Sequence, residues 1–425
     1  MKQKISIIGL GYVGLPLAVE FGKLFDTLGF DINREKIKNF KKKDIQNLVN
    51  KKKFDNSSKL SFSYKKEDLR DTKIFIVTVP TPIYKNKKPD LRNLITATKM
   101  ISKYVTKNNT IIFESTVFPG VTEDICIPII EKTTKLRVNK DFYIGYSPER
   151  ISPGDKNDIS EINKIVSGSN QKATTIVYNL YNKIIKAKLY KAKSIRVAEC
   201  SKLIENAQRD INISFINEVS LICSKLNIHT SDVLAAAKTK WNFLDFKPGL
   251  VGGHCISVDP FYLTHIAKKN KYSPKVILSG RTINDNMGIY IAEVALNKLK
   301  EKKIEFKKAK IGVLGVTFKE DCGDIRGSKI LDTIKILRKK KINISTYDPV
   351  VNLNELKKVD PNLKIKKLKD KFDILIIAVA HKEFLKVKYN QVKNLLKNKD
   401  SVLFDIKSIL DKSILNKKKI KFWSL

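Results

Sequence analysis

Short apolar runs alternate with amphipathic stretches along most of this chain. Ile5–Ile8 reads as a buried strand, a helical pattern follows through Lys23, and Phe25–Asp31 reads as a second strand. Ile74–Val79 and Thr110–Phe113 are further β-branched, apolar runs bounded by polar turns. Runs this short suit strands rather than buried helices. Strands that alternate with helices imply a parallel, doubly wound sheet. A first α/β domain is therefore expected over residues 1–195.

The pattern changes between Ser194 and Leu226. Val197, Leu203, Ile204, Ile211, Ile213, Ile216, Val219 and Leu226 recur at roughly helical spacing with no proline inside, which predicts one long helix. Its apolar positions are expected in the core. A long helix between two α/β halves commonly serves as a hub or dimer interface, so residues 196–300 are expected to form a central helical domain for dimerisation and substrate binding. Residues 301–425 then restart the alternation, with strands expected at Lys310–Val316, Asn343–Tyr347, Phe372–Val379 and Ser401–Phe404 and a helix over Ser328–Lys340.

Composition narrows the class. The 425 residues, 42% hydrophobic, suffice for two or three domains. No apolar run approaches the roughly 18 residues of a spanning helix, so membrane insertion is not expected. Ile5–Val19 contains Gly9, Gly11, Gly14 and Pro16 and lacks a small-residue cleavage site, which argues against a signal peptide. Five scattered cysteines (Cys126, Cys200, Cys223, Cys255 and Cys322) form no CxxC pair, which points to a reducing cytoplasm and to no metal site. The net charge is +40, but the lysine runs are spread over the whole chain without a basic arm or interleaved aromatics. That distribution fits a lysine-rich bias better than a nucleic-acid surface, although some of the charge would help draw in a diphosphate.

Chemistry enters with Gly9-Leu-Gly11-Tyr-Val13-Gly14, which follows a strand and opens a helix. Gly9 permits the tight turn, Gly11 lets backbone approach a pyrophosphate, and Gly14 lets helix and strand pack closely. Asp31 closes the second strand 17 residues after Gly14, where a carboxylate accepts from a ribose hydroxyl and repels a 2′-phosphate. NAD is thus expected rather than NADP, with Arg34 the nearby cation. The fold expected is α/β, with two Rossmann-like doubly wound parallel-sheet domains joined by a long central helix.

Further candidate segments lie downstream. In Gly249-Leu-Val-Gly252-Gly253-His254-Cys255-Ile-Ser-Val258-Asp259-Pro, a substrate can approach a cysteine in a glycine-rich loop closely, and a carboxylate stands four residues on. A buried small residue in a tight turn is the alternative, since thiol reactivity depends on a lowered pKa that spacing does not reveal. Lys202 and Asn206 share one helix face, where together they can hold a substrate oxygen that gains negative charge. Glu114-Ser-Thr116 and Ser147-Pro-Glu149-Arg150 sit where open α/β sheets place ligands. Phe318-Lys319-Glu-Asp-Cys-Gly-Asp324-Ile-Arg326 follows the first strand of the C-terminal half, and its cations suit phosphates. His229, His265 and His381 are expected to be structural or surface residues.

The ordered set GLGYVGLP, VPTP, ESTVFPG, YSPER, SKLIEN, PGLVGGHCISVDP and FKEDCGDIR, running from residue 1 to about 410, closely resembles the UDP-glucose/GDP-mannose dehydrogenase family. GGHCISVDPFYLTH and SPERISPGD look most like the branch that oxidises UDP-N-acetylhexosamines at C6. The resemblance implies an N-terminal NAD domain, a central helix and a C-terminal UDP domain. It implies a four-electron oxidation of a C6 alcohol, in UDP-GlcNAc or UDP-GalNAc, to a carboxylate with two NAD, supplying a surface polysaccharide precursor.

In that scheme Cys255 matches the nucleophile that attacks an intermediate aldehyde, giving a thiohemiacetal and then a thioester. Lys202 and Asn206 match the groups that hold the C6 oxygen, Asp259 a carboxylate ordering lysine and water, and Glu149 the acid/base of thioester hydrolysis. Gly9, Gly11, Val13, Gly14, Asp31, Arg34, Thr81, Thr116 and Arg326 match the NAD site, Thr116 beside the nicotinamide. Glu149, Arg150, Lys202, Asn206, Gly249, Gly252 and Lys319 match substrate contacts. The chain departs from the UDP-glucose pattern at Pro153, His254 and Val258, which disfavours plain UDP-glucose. UDP-glucose, UDP-ManNAc and GDP-mannose remain the alternatives. Lys240 is the nearest match to an inter-subunit arginine of some relatives, and a homodimer or larger homo-oligomer is the family expectation.

Overall fold

The computed structural model describes residues 4–45, 48–151, 158–253, 256–386 and 389–425. The chain divides into two units. One comprises Met1–Glu205 with Phe261–Tyr272, the other Asn206–Pro260 with Ser273–Leu425.

The first unit is built on an eight-stranded sheet. Its strands are β1 (Ile5–Ile8), β2 (Thr27–Phe30), β3 (Leu60–Ser63), β4 (Ile74–Val77), β5 (Thr110–Phe113), β6 (Tyr143–Tyr146), β7 (Lys164–Gly168) and β8 (Leu189–Lys191). They lie in the order β3-β2-β1-β4-β5-β6-β7-β8. All pairings are parallel except β6 with β7, which run antiparallel. The apolar runs are explained by burial on both faces: every residue of β1, β2, β4 and β5 is buried. The chain leaves β1 toward β2 on one side and later returns to β4 on the other. A crevice therefore opens beyond the carboxyl ends of β1 and β4, where doubly wound sheets bind ligands. Leu15, Leu17, Ala18 and Phe21 of the helix Gly14–Gly22 pack into the core with Ile5 and Ile7.

The second unit carries a five-stranded parallel sheet in the order β10-β9-β11-β12-β13. The strands are β9 (Lys310–Leu314), β10 (Asn343–Tyr347), β11 (Ile374–Ile377), β12 (Val402–Asp405) and β13 (Lys421–Trp423). Here the order reverses about β9. Met287, Ile291, Ala295 and Leu299 of the helix Lys275–Glu301 fill the core beside Ile311 and Val313.

The central helix spans Ile195–Lys225 and runs from one unit into the other. The expectation that its apolar positions form the core needs correcting. Leu203 and Ile216 are buried, but Val197, Ile204 and Leu226 are 48%, 52% and 62% exposed. A polar stripe lies buried instead, comprising Asn206, Asp210, Ser214 and Asn217. Each of these side chains has a hydrogen-bond partner, so burial here follows a polar periodicity that hydrophobicity does not report. Among the described residues no helix is long and apolar enough to cross a membrane.

Candidate active site

At the end of β1, Gly9 adopts φ +96°, a conformation natural only to glycine. Thr78 at the end of β4 locks the turn by donating to the Gly9 carbonyl at 2.6 Å. A Cβ on Gly14 would stand 1.9 Å from that same carbonyl, which shows how closely helix and strand approach. A Cβ on Gly11 would meet nothing within 4 Å, so the backbone there faces open space. Val13 precedes the helix.

Asp31 follows β2 and accepts from Leu10 N–H at 3.0 Å, Asn33 N–H at 2.9 Å and Lys36 Nζ at 2.9 Å. It thereby ties the glycine turn to the end of the second strand. Arg34 lies over the Tyr64 ring at 5.3 Å. Thr81 donates to the Thr116 carbonyl at 2.6 Å, joining the loops after β4 and β5. The tight turn, the uncovered backbone at Gly11 and the carboxylate at Asp31 fit a dinucleotide with an unphosphorylated 2′-hydroxyl.

A buried charge cluster lies in the same unit. Glu149 is 7% exposed and accepts from Ile151 N–H. Burial raises its carboxyl above the usual range, against the pull of Lys202 and Lys164 and with the push of Glu114. Lys164, the first residue of β7, donates to Glu114 at 2.9 Å and to the Pro148 carbonyl at 3.3 Å. Tyr181 donates its hydroxyl to the other Glu114 oxygen. Arg150 is tied to Glu205 at 3.0 Å through Nε. Lys202 is buried.

Glu199, one turn before Lys202, accepts from Gly120 N–H at 2.6 Å and Thr122 N–H at 3.0 Å. It thus holds the segment that follows Thr116. Burial pushes its carboxyl up to about 7, against the hydrogen bonds that it accepts.

In the second unit Asn206 donates to Asp259 at 2.5 Å, and both are buried. Asp259 opens the helix Asp259–Lys269. Gly249 is held by Asn217, and Gly252 lies so close to Gly327 that an added Cβ would be 2.5 Å from its carbonyl oxygen. A pocket lined by Leu250, Gly252, Phe318, Lys329 and Lys407 adjoins this loop. Lys319 is half-buried in the loop after β9, and Arg326 forms a two-point pair with Asp324. His254 and Cys255 lie outside the described residues, as does Pro153.

The structure thus groups Gly9, Gly11, Gly14, Asp31, Thr81 and Thr116 with Glu149 and Lys202 in one unit. Asn206, Asp259, Gly249, Gly252, Lys319 and Arg326 belong to the other. Lys202 and Asn206 stand one turn apart on the helix common to both.

Sequence reasoning missed Lys164, Glu199 and Asn217. Lys164 hides in the apolar run Lys164–Gly168. The other two lie on the helix face of Lys202 and Asn206, where spacing alone offered a weak signal. His381 is an interior residue: its Nε2 lies 3.1 Å from both Asp348 and Thr317, and its Nδ1 accepts from Asp321 N–H. His229 stacks on Phe422 and His265 tilts against Phe118.

A doubly wound sheet with a glycine turn and an acidic second-strand end defines a dinucleotide-binding enzyme, with buried acid and base groups in the same unit. Comparison with known proteins narrows the class. Models of the UDP-glucose/GDP-mannose dehydrogenase family match in sequence: the NAD-binding domain at residues 3–185, the central domain at 196–286 and the UDP-binding domain at 312–412. Protein CapL of Staphylococcus aureus is 44% identical over 98% of this chain and 98% of its own length. A UDP-N-acetyl-D-glucosamine 6-dehydrogenase of Pseudomonas aeruginosa is 44% identical over 96% of this chain and 97% of its own. The solved structure of a UDP-D-ManNAc dehydrogenase from Pyrococcus horikoshii superposes with a TM-score of 0.88 at 28% identity, over 99% of each chain. The chain belongs to the UDP-glucose/GDP-mannose dehydrogenase family. It is an NAD-dependent nucleotide-sugar 6-dehydrogenase, with a C-terminal domain that binds the UDP moiety.

Proposed function

We propose that this enzyme oxidises C6 of a UDP-N-acetylhexosamine, UDP-GlcNAc or UDP-GalNAc, to the uronic acid through a covalent Cys255 adduct. The observation that carries the chemistry is the buried Glu149, whose carboxyl is raised by burial against the opposing charge of Lys202. The acetylated substrate rests on the motif resemblance and on the departures at Pro153, His254 and Val258.

NAD, when bound, accepts hydride in each of the two oxidations. Lys202 and Asn206 hold the C6 oxygen as it gains charge. Asp259 takes one amide hydrogen of Asn206 and so orients the other toward the substrate. The Cys255 thiolate adds to the C6 aldehyde, forming a C–S bond and a thiohemiacetal, whose oxidation leaves a thioester. Water then attacks C6, Glu149 accepts its proton, and the C–S bond breaks to return the thiolate. A raised pKa makes Glu149 a better base than a free carboxylate. The sum is one alcohol, two NAD and one water converted to one carboxylate, two NADH and three protons. Gly9, Gly11, Val13, Gly14, Asp31, Arg34, Thr81, Thr116 and Arg326 form the NAD site in this scheme. Arg150, Gly249, Gly252 and Lys319 contact the UDP-sugar. The exposed Val197, Ile204, Phe215 and Ile222 on the central helix provide an apolar face for a second copy of the chain.

The test is NADH formed per sugar consumed with UDP-GlcNAc, UDP-GalNAc, UDP-ManNAc and UDP-glucose, for wild type and Cys255→Ala. Two NADH with one acetylated sugar, and no acid from the variant, is the expected result. Acid production by Cys255→Ala at the wild-type rate overturns the mechanism; turnover confined to UDP-ManNAc or UDP-glucose overturns the substrate.

A further inference from the structure

Asn217 lies on the buried face of the central helix, eleven residues after Asn206. Eleven residues make three helical turns, so the two asparagines share one face about 16 Å apart. Asn217 holds Gly249 at both of its backbone polar groups. Its Oδ1 accepts from Gly249 N–H at 2.8 Å, and its Nδ2 donates to the Gly249 carbonyl at 3.0 Å. The same Nδ2 donates to Asn284 Oδ1 at 2.8 Å. Asn284 in turn donates to the Asp210 carboxylate at 2.7 Å and the Asp210 carbonyl at 2.9 Å. Arg281 pairs with that carboxylate at 2.6 Å. Asp210, Asn217 and Asn284 are fully buried and Arg281 is 2% exposed.

Such a chain is costly to bury, and well-packed apolar side chains in its place would often be no less stable. What it supplies is a fixed position for its terminal member. That member is the start of the glycine loop, whose far end is held through the Asn206–Asp259 bond. One helix therefore holds both Gly249 and Asp259, the two positions that flank Cys255 in the sequence.

We propose that Asn217 is a positioning residue that fixes the glycine loop so that Cys255 meets the C6 carbon. This rests on the reading of Cys255 as the nucleophile. A misplaced thiol should harm capture of the aldehyde more than binding of the nucleotide sugar, since displacements of about 1 Å cost large factors in rate.

The test uses the full-length enzyme and its preferred UDP-sugar, with hydroxylamine as aldehyde trap. Asn217→Asp keeps the acceptor for Gly249 N–H and removes the donor. It is expected to lower kcat at least tenfold, to change KM for the sugar less than about threefold, and to drop NADH per sugar from two toward one as trapped aldehyde appears. Asn284→Ser leaves both Gly249 bonds of Asn217 in place but removes its Asn284 acceptor and the Asn284–Asp210 bonds behind it, and is expected to shift the same readouts by a smaller factor. In the wild type, hydrogen exchange at the Gly249 amide should be slowed at least a hundredfold. Unchanged stoichiometry and kcat in a folded Asn217→Asp enzyme overturn the proposal, as does free exchange at Gly249. Cys255→Ala run in parallel separates the two readings. Acid production by that variant defeats the covalent mechanism, whereas its loss together with an unaffected Asn217→Asp defeats only the role of Asn217.

Discussion

Replacing Lys164 by methionine leaves Glu114 inside the first unit without its counter-charge. The two side chains are 5% and 0% exposed and 2.9 Å apart. Methionine has a similar length and leaves little cavity, so the electrostatic loss dominates. Breaking a buried ion pair by removing one partner costs about 3–5 kcal/mol, because the survivor stays desolvated. The Tyr181 hydroxyl still donates to Glu114, which places the expected loss at the lower end, about 3 kcal/mol. Adding Glu114→Gln removes the stranded charge, and the double variant should return to within about 1 kcal/mol of wild type. Urea unfolding of the four proteins at pH 8 gives the coupling energy directly. In the single variant the unbalanced Glu114 also pushes the Glu149 carboxyl further up, moving the acid limb of the pH–rate profile to higher pH. A Lys164→Met enzyme within about 1 kcal/mol of wild type would refute the reasoning, as would a double variant whose loss equals the sum of the singles.

Gly14→Ala and Gly11→Ala should separate packing from ligand access. The first drives a Cβ to 1.9 Å from the Gly9 carbonyl and should cost at least about 1–3 kcal/mol along with NADH affinity. The second meets no protein atom and should lower NADH affinity alone, as read by a fluorescence titration beside a urea melt. Glu199 supplies a pH dependence. Its carboxyl rises from 4.5 to about 7 on folding, so the folded protein binds the extra proton between those values. That stability is present below pH 4.5 and lost as pH rises through 7, with a ceiling of about 3 kcal/mol. Glu199→Gln, which cannot ionise, should therefore gain stability relative to wild type between pH 5 and pH 8; a constant difference across that range counts against a buried, titrating Glu199.

Local chemistry made much of this molecule legible. Ile5–Ile8, Thr110–Phe113 and Asn343–Tyr347 are strands at the residues their apolar or β-branched runs indicate. The glycine turn was readable because each glycine answers a steric need within a few residues. Strands β6 to β8 were not, since Tyr143–Tyr146 contains a glycine, Lys164 opens β7, and Leu189–Lys191 is mostly exposed. The central helix was located to within a residue at each end, yet its inward face was misjudged. Ile204 looks like core and is exposed, while Asn217 looks like surface and is fully buried. Burial of an amide depends on partners such as Gly249 and Asn284, which lie far away in sequence.

The segment Phe261–Tyr272 belongs to the first unit although it follows a stretch of the second. Tyr262 is fully buried and donates to the carbonyls of Thr81 and Pro82, and its ring lies 6.3 Å from that of Phe118. During synthesis, then, the NAD-binding half cannot close when residue 205 leaves the ribosome. It must wait on the order of several seconds for residue 272 to emerge. A gene cut between the units would yield a fragment with the loops after β4 and β5 left open, so this enzyme resists being split into halves that fold alone.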